Sequence, residues 1–312
     1  MDYENYMELY EAVYFFDRIN CCAGSKIPRL SDRDEIAKTG VNENIYRAVV
    51  RILAVNRLLD YDGSRFVMTS ENKEKHRYIL DNIIGKNQNN KYADMFDKAA
   101  DESRYFFECI SELEYEIYSR YNFHLTFETG KEAAKHIDLA DKKALELGGN
   151  SGGLGTALLS KYRDCLYTIV DTKIPCMVGK EFAGANKVNI TFIENSIENT
   201  GFDLALSGEP YDYIIMMNLL HDFDDAKCAD ILRNCAKYCK NGAKFVIIED
   251  VLTGDFEPKE VIMHGLRLAV ECGGGRQRTT QELAGLFSSI GYRPEKAVKI
   301  DDVHTMLVMG VR

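Results

Sequence analysis

The stretch Ala144–Leu159, ALELGGNSGGLGTALL, carries four glycines in the six residues 148–153 and then turns apolar again. A short apolar-rich run, a glycine turn and a helix-forming run predict strand, loop and helix. In that arrangement the backbone comes close to a ligand and the helix N-terminal amides face it. A dinucleotide fingerprint would need Gly at 148, 150 and 153. The chain has Gly148, Asn150 and Gly153, so it lacks the central glycine that admits a pyrophosphate. What remains is Glu146, Gly148, Gly149, Gly152 and Gly153. That is the shape of an S-adenosylmethionine loop, whose ligand has no phosphate and lays its amino-acid end on the backbone. Asp171 closes the next apolar run, YTIVD, 23 residues after Gly148. A carboxylate there can accept both ribose hydroxyls, or it can cap the helix that follows.

Working outward, apolar runs alternate with helical stretches throughout the second half. The predicted strands are Ala144–Leu147, Leu166–Val170, Val188–Ile193, Tyr213–Met217, Lys244–Ile248 and Thr305–Met309. Between them, helices are predicted at 153–163, 173–184, 226–239 and 279–291. The pattern implies an α/β, Rossmann-like domain, doubly wound around a mostly parallel sheet, with ligands beyond the carboxyl ends of the strands.

The first hundred residues read differently. A short helix at Asp32–Lys38, a turn, a longer helix at Glu43–Leu59 and a hairpin around Asp62–Gly63 make a winged-helix module. The helix that would enter DNA presents Glu43, Asn44, Arg47 and Arg51, a near-neutral set. A protein-facing use suits it better. Tyr92–Tyr121 is also read as helical, with Tyr105, Phe106 and Phe107 as core or pocket wall, and 122–142 as a connector. The expected division is a helical, winged-helix domain at 1–100 and an α/β domain at 101–312, joined by the helical connector 101–142.

Composition narrows the partners. The 312 residues are 46% hydrophobic and 28% charged, which suits a globular chain with a full core. A net charge of −10 disfavours nucleic acid. No apolar run approaches about eighteen residues, and the acidic start MDYENYMELYEAVYFF lacks a signal-peptide layout. No membrane association and cytoplasmic residence are expected. The nine cysteines form no CxxC pair or zinc spacing, so free thiols and no metal are expected.

IIMMNLLHDFDD, Ile214–Asp225, is an apolar run broken by Asn218 that ends in His221 and Asp222. A buried strand delivering a base to a cleft explains it. So does a helix start with acids in its first turn. From Asn218 to Leu252 the chain reads NLLHDFDDAKCADILRNCAKYCKNGAKFVIIEDVL, and GGGRQRTTQELAGLFSSIGY follows at 273–292. With the winged-helix front and the glycine loop, this order resembles small-molecule O-methyltransferases of the caffeic acid and acetylserotonin type.

The resemblance implies transfer of a methyl group from S-adenosyl-L-methionine to a hydroxyl of a small, aromatic metabolite, leaving S-adenosyl-L-homocysteine and using no metal. It implies His221 as general base, oriented by Glu249 and by Gln277, which stands where the family carries a second acid. Cofactor contacts fall on Glu146, Gly148, Gly149, Asp171, Asn195, Ser196 and Asn218, and acceptor contacts on His264 and Arg267. It further implies a homodimer through the N-terminal helices. Gln277 leaves open N- or S-methylation. A non-catalytic, cofactor-binding winged-helix regulator or scaffold is the reading from another class, and a nicotinamide-dependent oxidoreductase is disfavoured by Asn150.

Overall fold

The computed structural model describes residues 9–17, 27–81, 110–197, 210–272 and 274–311. The helices are α1 (Arg33–Ala37), α2 (Glu43–Val55), α3 (Ser70–Ile79), α4 (Glu112–Ala133), α5 (Gly153–Lys161), α6 (Lys173–Asn186), α7 (Asp225–Ala236), α8 (Lys259–Met263), α9 (Gly265–Glu271) and α10 (Thr280–Ser288). The strands are β1 (Asp60–Tyr61), β2 (Phe66–Val67), β3 (Lys143–Leu147), β4 (Leu166–Asp171) and β5 (Ile190–Glu194). They continue with β6 (Tyr211–Met217), β7 (Cys239–Leu252), β8 (Arg278–Thr279), β9 (Tyr292–Lys299) and β10 (His304–Val311). Two compact units emerge: Met1–Phe106 with Leu252–Gln277, and Phe107–Val251 with Arg278–Arg312. The first therefore takes in a late segment that the sequence reading assigned to the α/β domain.

In the first unit the Asn42 side chain accepts the N–H groups of Asn44 and Ile45, starting α2. The helix buries Ile45, Tyr46, Val49, Val50, Ile52 and Leu53. Asp62 accepts from the backbone of Ser64 and Arg65, which turns β1 into β2. The polar residues of α2 are engaged by their own unit. Arg47 pairs with Glu43 at 2.7 Å, Asn44 donates to the carbonyl of Gly274 at 2.8 Å, and Arg51 lies 3.5 Å from Asp255.

The second unit is built on an eight-stranded sheet in the order β5-β4-β3-β6-β7-β10-β9, with β8 beside β7. The pairs from β5 to β7 are parallel, and β10 runs antiparallel to both β7 and β9. This is the Rossmann-like α/β architecture. Its core joins Ala144, Ile169, Ile215, Val246 and Met306 from the sheet to Leu154 and Leu158 of α5. The order of strands reverses between β3 and β6, the place in sheets of this kind where ligands sit beyond the carboxyl ends of the strands.

Two differences from the sequence reading have physical causes. The expected connector 122–142 is helical as far as Ala133, because α4 starts at a capping box between Ser111 and Glu114. Its packing then carries it on: Phe123 stacks on Phe182 at 4.0 Å, and a Cβ on Gly130 would lie 2.7 Å from that of Ala157. Strand β9, YRPEKAVK, escaped notice because it is mostly exposed and has no apolar face to reveal it. Residues 82–109, with Tyr105–Phe107, lie outside the described residues.

Candidate active site

Each parallel strand of the second unit carries a polar residue at or just beyond its carboxyl end. Glu146, next to last in β3, is buried and accepts the Tyr167 hydroxyl at 3.0 Å. Burial pushes its carboxyl up to about 8; the tyrosine opposes this and Asp171 adds to it. The glycine loop then folds back. Gly148 takes φ +64°, and a Cβ there would lie 2.6 Å from Leu219 Cδ1. At Gly149 a Cβ would lie 2.7 Å from Glu146 Cδ, so both positions exclude side chains. Asn150 follows at φ +47°.

Asp171 ends β4 and ties the loop down. Its Oδ2 accepts the Asn150 N–H at 2.8 Å and its Oδ1 the Thr172 N–H at 2.7 Å. Burial raises it to about 6 against those bonds. Beyond β5, Asn195 donates its backbone N–H to the Asp171 carbonyl at 2.9 Å, and Asn195 and Ser196 are half-buried.

On the other side of β3, β6 delivers Asn218 and then His221. Asn218 has φ +49°, its N–H bonds the carbonyl of Ile248, and its side-chain Oδ1 is buried without a hydrogen-bond partner. The chain then makes a 3₁₀ turn, Leu220–Asp222. Asp222 thus belongs to that turn and not to the first turn of the next helix. Asp224 caps α7 by accepting from Lys227 N.

Glu249, on β7, holds the turn from beneath. Its Oε1 accepts the N–H groups of Leu219 at 3.0 Å and Leu220 at 2.7 Å. Its Oε2 lies 2.8 Å from His221 Nδ1, an ion-pair distance, although the two are not aligned as a hydrogen bond. The attraction is therefore electrostatic first. His221 Nε2 is 3.5 Å from Asp222 Oδ1. Burial alone would lower the imidazole; Glu249, Asp222 and Asp250 outweigh it and carry it up to about 9.

Two residues of this neighbourhood escaped the sequence reading. Arg278, 2% exposed, donates to the carbonyls of Leu220 and Phe223, both at 2.7 Å, and to Asp225. It fastens the turn that presents His221. His304 opens β10 beside Asn218, Asp250 and Asp301. An RT pair before a helix and a lone histidine at a strand start carry little signal, since what matters is what they meet in space.

Gln277, His264 and Arg267 belong to the first unit. Gln277 is buried with its Nε2 unpartnered, and a Cβ on Gly265 would come 3.1 Å from its Oε1. His264 joins α8 to α9, and both it and Arg267 are exposed. Among the described residues, no group of three or more His, Cys, Asp or Glu is arranged to hold a metal ion, and no helix is long and apolar enough to cross a membrane.

The O-methyltransferase domain family matches residues 77–293, well over half of the sequence. The chain belongs to that family. It is 29% identical over 150 residues to acetylserotonin O-methyltransferase of Bos taurus, covering 47% of this chain and 41% of that protein. With caffeic acid 3-O-methyltransferase of Zinnia elegans it shares 26% over 176 residues, 55% and 49% of the two chains. The chain thus spans about half the length of the curated relatives it matches.

The fold extends further than the sequence likeness. An O-methyltransferase family 2 protein from Planctomyces limnophilus, solved in complex with apigenin, superposes with a TM-score of 0.78 at 14% identity, over 99% of this chain and 93% of that one. Human N-acetylserotonin methyltransferase, solved with SAM, gives 0.60 at 19% identity, over 98% and 93%.

Proposed function

We propose that the protein transfers a methyl group from S-adenosyl-L-methionine to a hydroxyl of a small aromatic metabolite, with His221 as general base. The observation that carries this is the pairing of His221 with buried Glu249 on a turn at the carboxyl end of β6, in a chain of this family.

The residues present fit the cofactor. Gly148 and Gly149 keep the loop backbone bare of side chains, Asp171 offers spare lone pairs at the end of β4, and Asn218 Oδ1 is an unmatched buried acceptor. Glu146, Gly148, Gly149, Asp171, Asn195, Ser196 and Asn218 would hold it. When bound it supplies an electrophilic methyl group on a sulfonium. The protein's part is to align the acceptor and remove its proton. Glu249 faces Nδ1 of the His221 ring at ion-pair distance, and it is the neutral ring, favoured above about pH 9 in the ligand-free protein, whose Nε2 can take the acceptor proton. The same carboxylate, with Asp222 nearby, stabilises the imidazolium that forms.

His264 and Arg267, exposed in the first unit, are the candidates for acceptor contact that the family resemblance implies. Gln277, neutral where the family carries an acid, favours an acceptor that gives up its proton readily, an acidic phenol first and an amine or thiol next. The helix, turn, helix and hairpin of the first unit would serve as a winged-helix dimerisation module. The internal pairing of Asn44, Arg47 and Arg51 supports a use other than DNA reading.

Calorimetric titration with S-adenosylmethionine and S-adenosylhomocysteine tests the reading. Micromolar binding of both, one per chain, followed by methylation of a phenol panel, is expected. Absence of binding would overturn it and favour a scaffold.

A further inference from the structure

The mechanism above leaves His304 without a part, yet its ring is held as firmly as that of His221. Its Nδ1 lies 2.8 Å and 3.0 Å from the two oxygens of Asp301. Asp301 is itself fixed by the backbone N–H groups of Val303 at 3.0 Å and His304 at 2.7 Å. Burial works against its charge, but those N–H groups and the ring keep it below the ordinary carboxylate range. A carboxylate at that distance keeps a proton on Nδ1.

Nε2 faces two groups of opposite kind. Asn218 Nδ2, a donor, is 3.2 Å away, and Asp250 Oδ1, an acceptor, is also 3.2 Å away. One ring state cannot satisfy both. A neutral ring, with a bare Nε2, accepts from Asn218. An imidazolium donates to Asp250 and opposes the Asn218 N–H. The buried, unpartnered Oδ1 of Asn218 is the atom that turning the amide over would bring to a protonated Nε2. The Asn218 backbone is anchored to Ile248, which confines the change to the amide.

We propose that His304 is a positioning residue: its ring, oriented by Asp301, sets which end of the Asn218 amide is left for a ligand in the cleft. A neutral His304 leaves Oδ1, which can accept from a cationic or N–H group. A charged His304 takes Oδ1 and leaves the amide N–H. The coupling of ring and amide stands by itself, whereas its effect on the cofactor rests on the methyltransferase reading. The charged groups on the elements around the ring are Asp301 and Asp302 in the turn before it, Glu249 and Asp250 on β7, Lys299 on β9, and His221, on which Asp250 also acts.

The test follows the side-chain amide signals of Asn218 and the ring signals of His304 by nuclear magnetic resonance, in the ligand-free full-length protein from about pH 5 to 9. The expected result is a step in the Asn218 amide at the midpoint of the His304 ring. His304→Gln should remove that step, and Asp301→Asn, which takes away the group that orients the ring, should weaken it. An Asn218 amide indifferent to the ring's titration in the unaltered protein overturns the proposal, whether or not the variants fold.

S-adenosylhomocysteine affinity is measured over the same range. The part of its pH dependence that follows the His304 ring should amount to roughly tenfold, and His304→Gln should remove that part. If the unaltered protein binds neither S-adenosylmethionine nor S-adenosylhomocysteine at any pH, the methyltransferase reading fails, and the resonance result still decides the coupling.

Discussion

Glu146, buried near the end of β3, and Asp171, half-buried at the end of β4, are carboxylates held by a tyrosine hydroxyl and by backbone N–H groups. His221 and His304, at the end of β6 and the start of β10, are imidazoles beside carboxylates. On the glycine-loop side, hydrogen bonds do not offset desolvation, so the acids rise towards neutrality, to about 8 and about 6. On the other side the neighbouring acids win, and His221 rises to about 9 although burial pulls it down. Both sides thus gain protons in the ligand-free state, one by losing negative charge and the other by collecting positive charge. The lesson is that a direction of shift says little until its cause is known. A ligand bringing positive charge would relieve the first side, and it would oppose the imidazolium on the second.

The largest break in this contrast should come from His221→Ala. Turnover on a hydroxyl acceptor is expected to fall by about 10³-fold, with S-adenosylhomocysteine affinity unchanged within a few-fold, as read by initial rates and calorimetry. A loss of affinity equal to the loss of rate would mean that the ring serves binding.

Arg278→Met attacks the same side from below. It strands two carbonyls and frees the exposed Asp225 carboxylate to water, and should cost about 3 kcal/mol in urea unfolding. A neutral outcome would show that the turn stands without it.

Glu146→Gln sharpens the other side. The amide keeps an acceptor for Tyr167 but can carry no negative charge, so S-adenosylmethionine affinity at about pH 8 should drop roughly tenfold.

The smallest effect is in the ligand-free protein. Asp171, Glu146 and His221 all have folded values above their unfolded ones, so the folded state holds more protons. Stability is therefore greatest at low pH within the range where the fold persists. It should decline as pH climbs through about 6, about 8 and about 9. Urea midpoints that rise over this range would contradict the assignment, and Glu146→Gln should flatten the middle part of the slope.

Much of this was legible in the chain. The glycine turn, the strand–helix alternation and the apolar run into His221 are local patterns, and local patterns survive in one dimension. The limits of α4 were less so: its capping box is readable at Ser111–Glu114, but its extent to Ala133 depends on contacts with α5 and α6. The exposed edge strand β9 was hidden for the opposite reason, since pairing alone makes it a strand.

By itself the sequence determined the α/β class, the loop that excludes a pyrophosphate, and the apolar run that leads into a histidine. Only the tertiary structure decided what surrounds that histidine. Asn218 and His304 stand 86 residues apart and meet because β10 runs back antiparallel along β7, and Arg278 reaches Leu220 across 58 residues by burial under a turn. Periodicity and spacing report the face on which a residue lies. They do not report which distant residue the sheet places opposite it, and that opposite residue sets the charge each side chain carries.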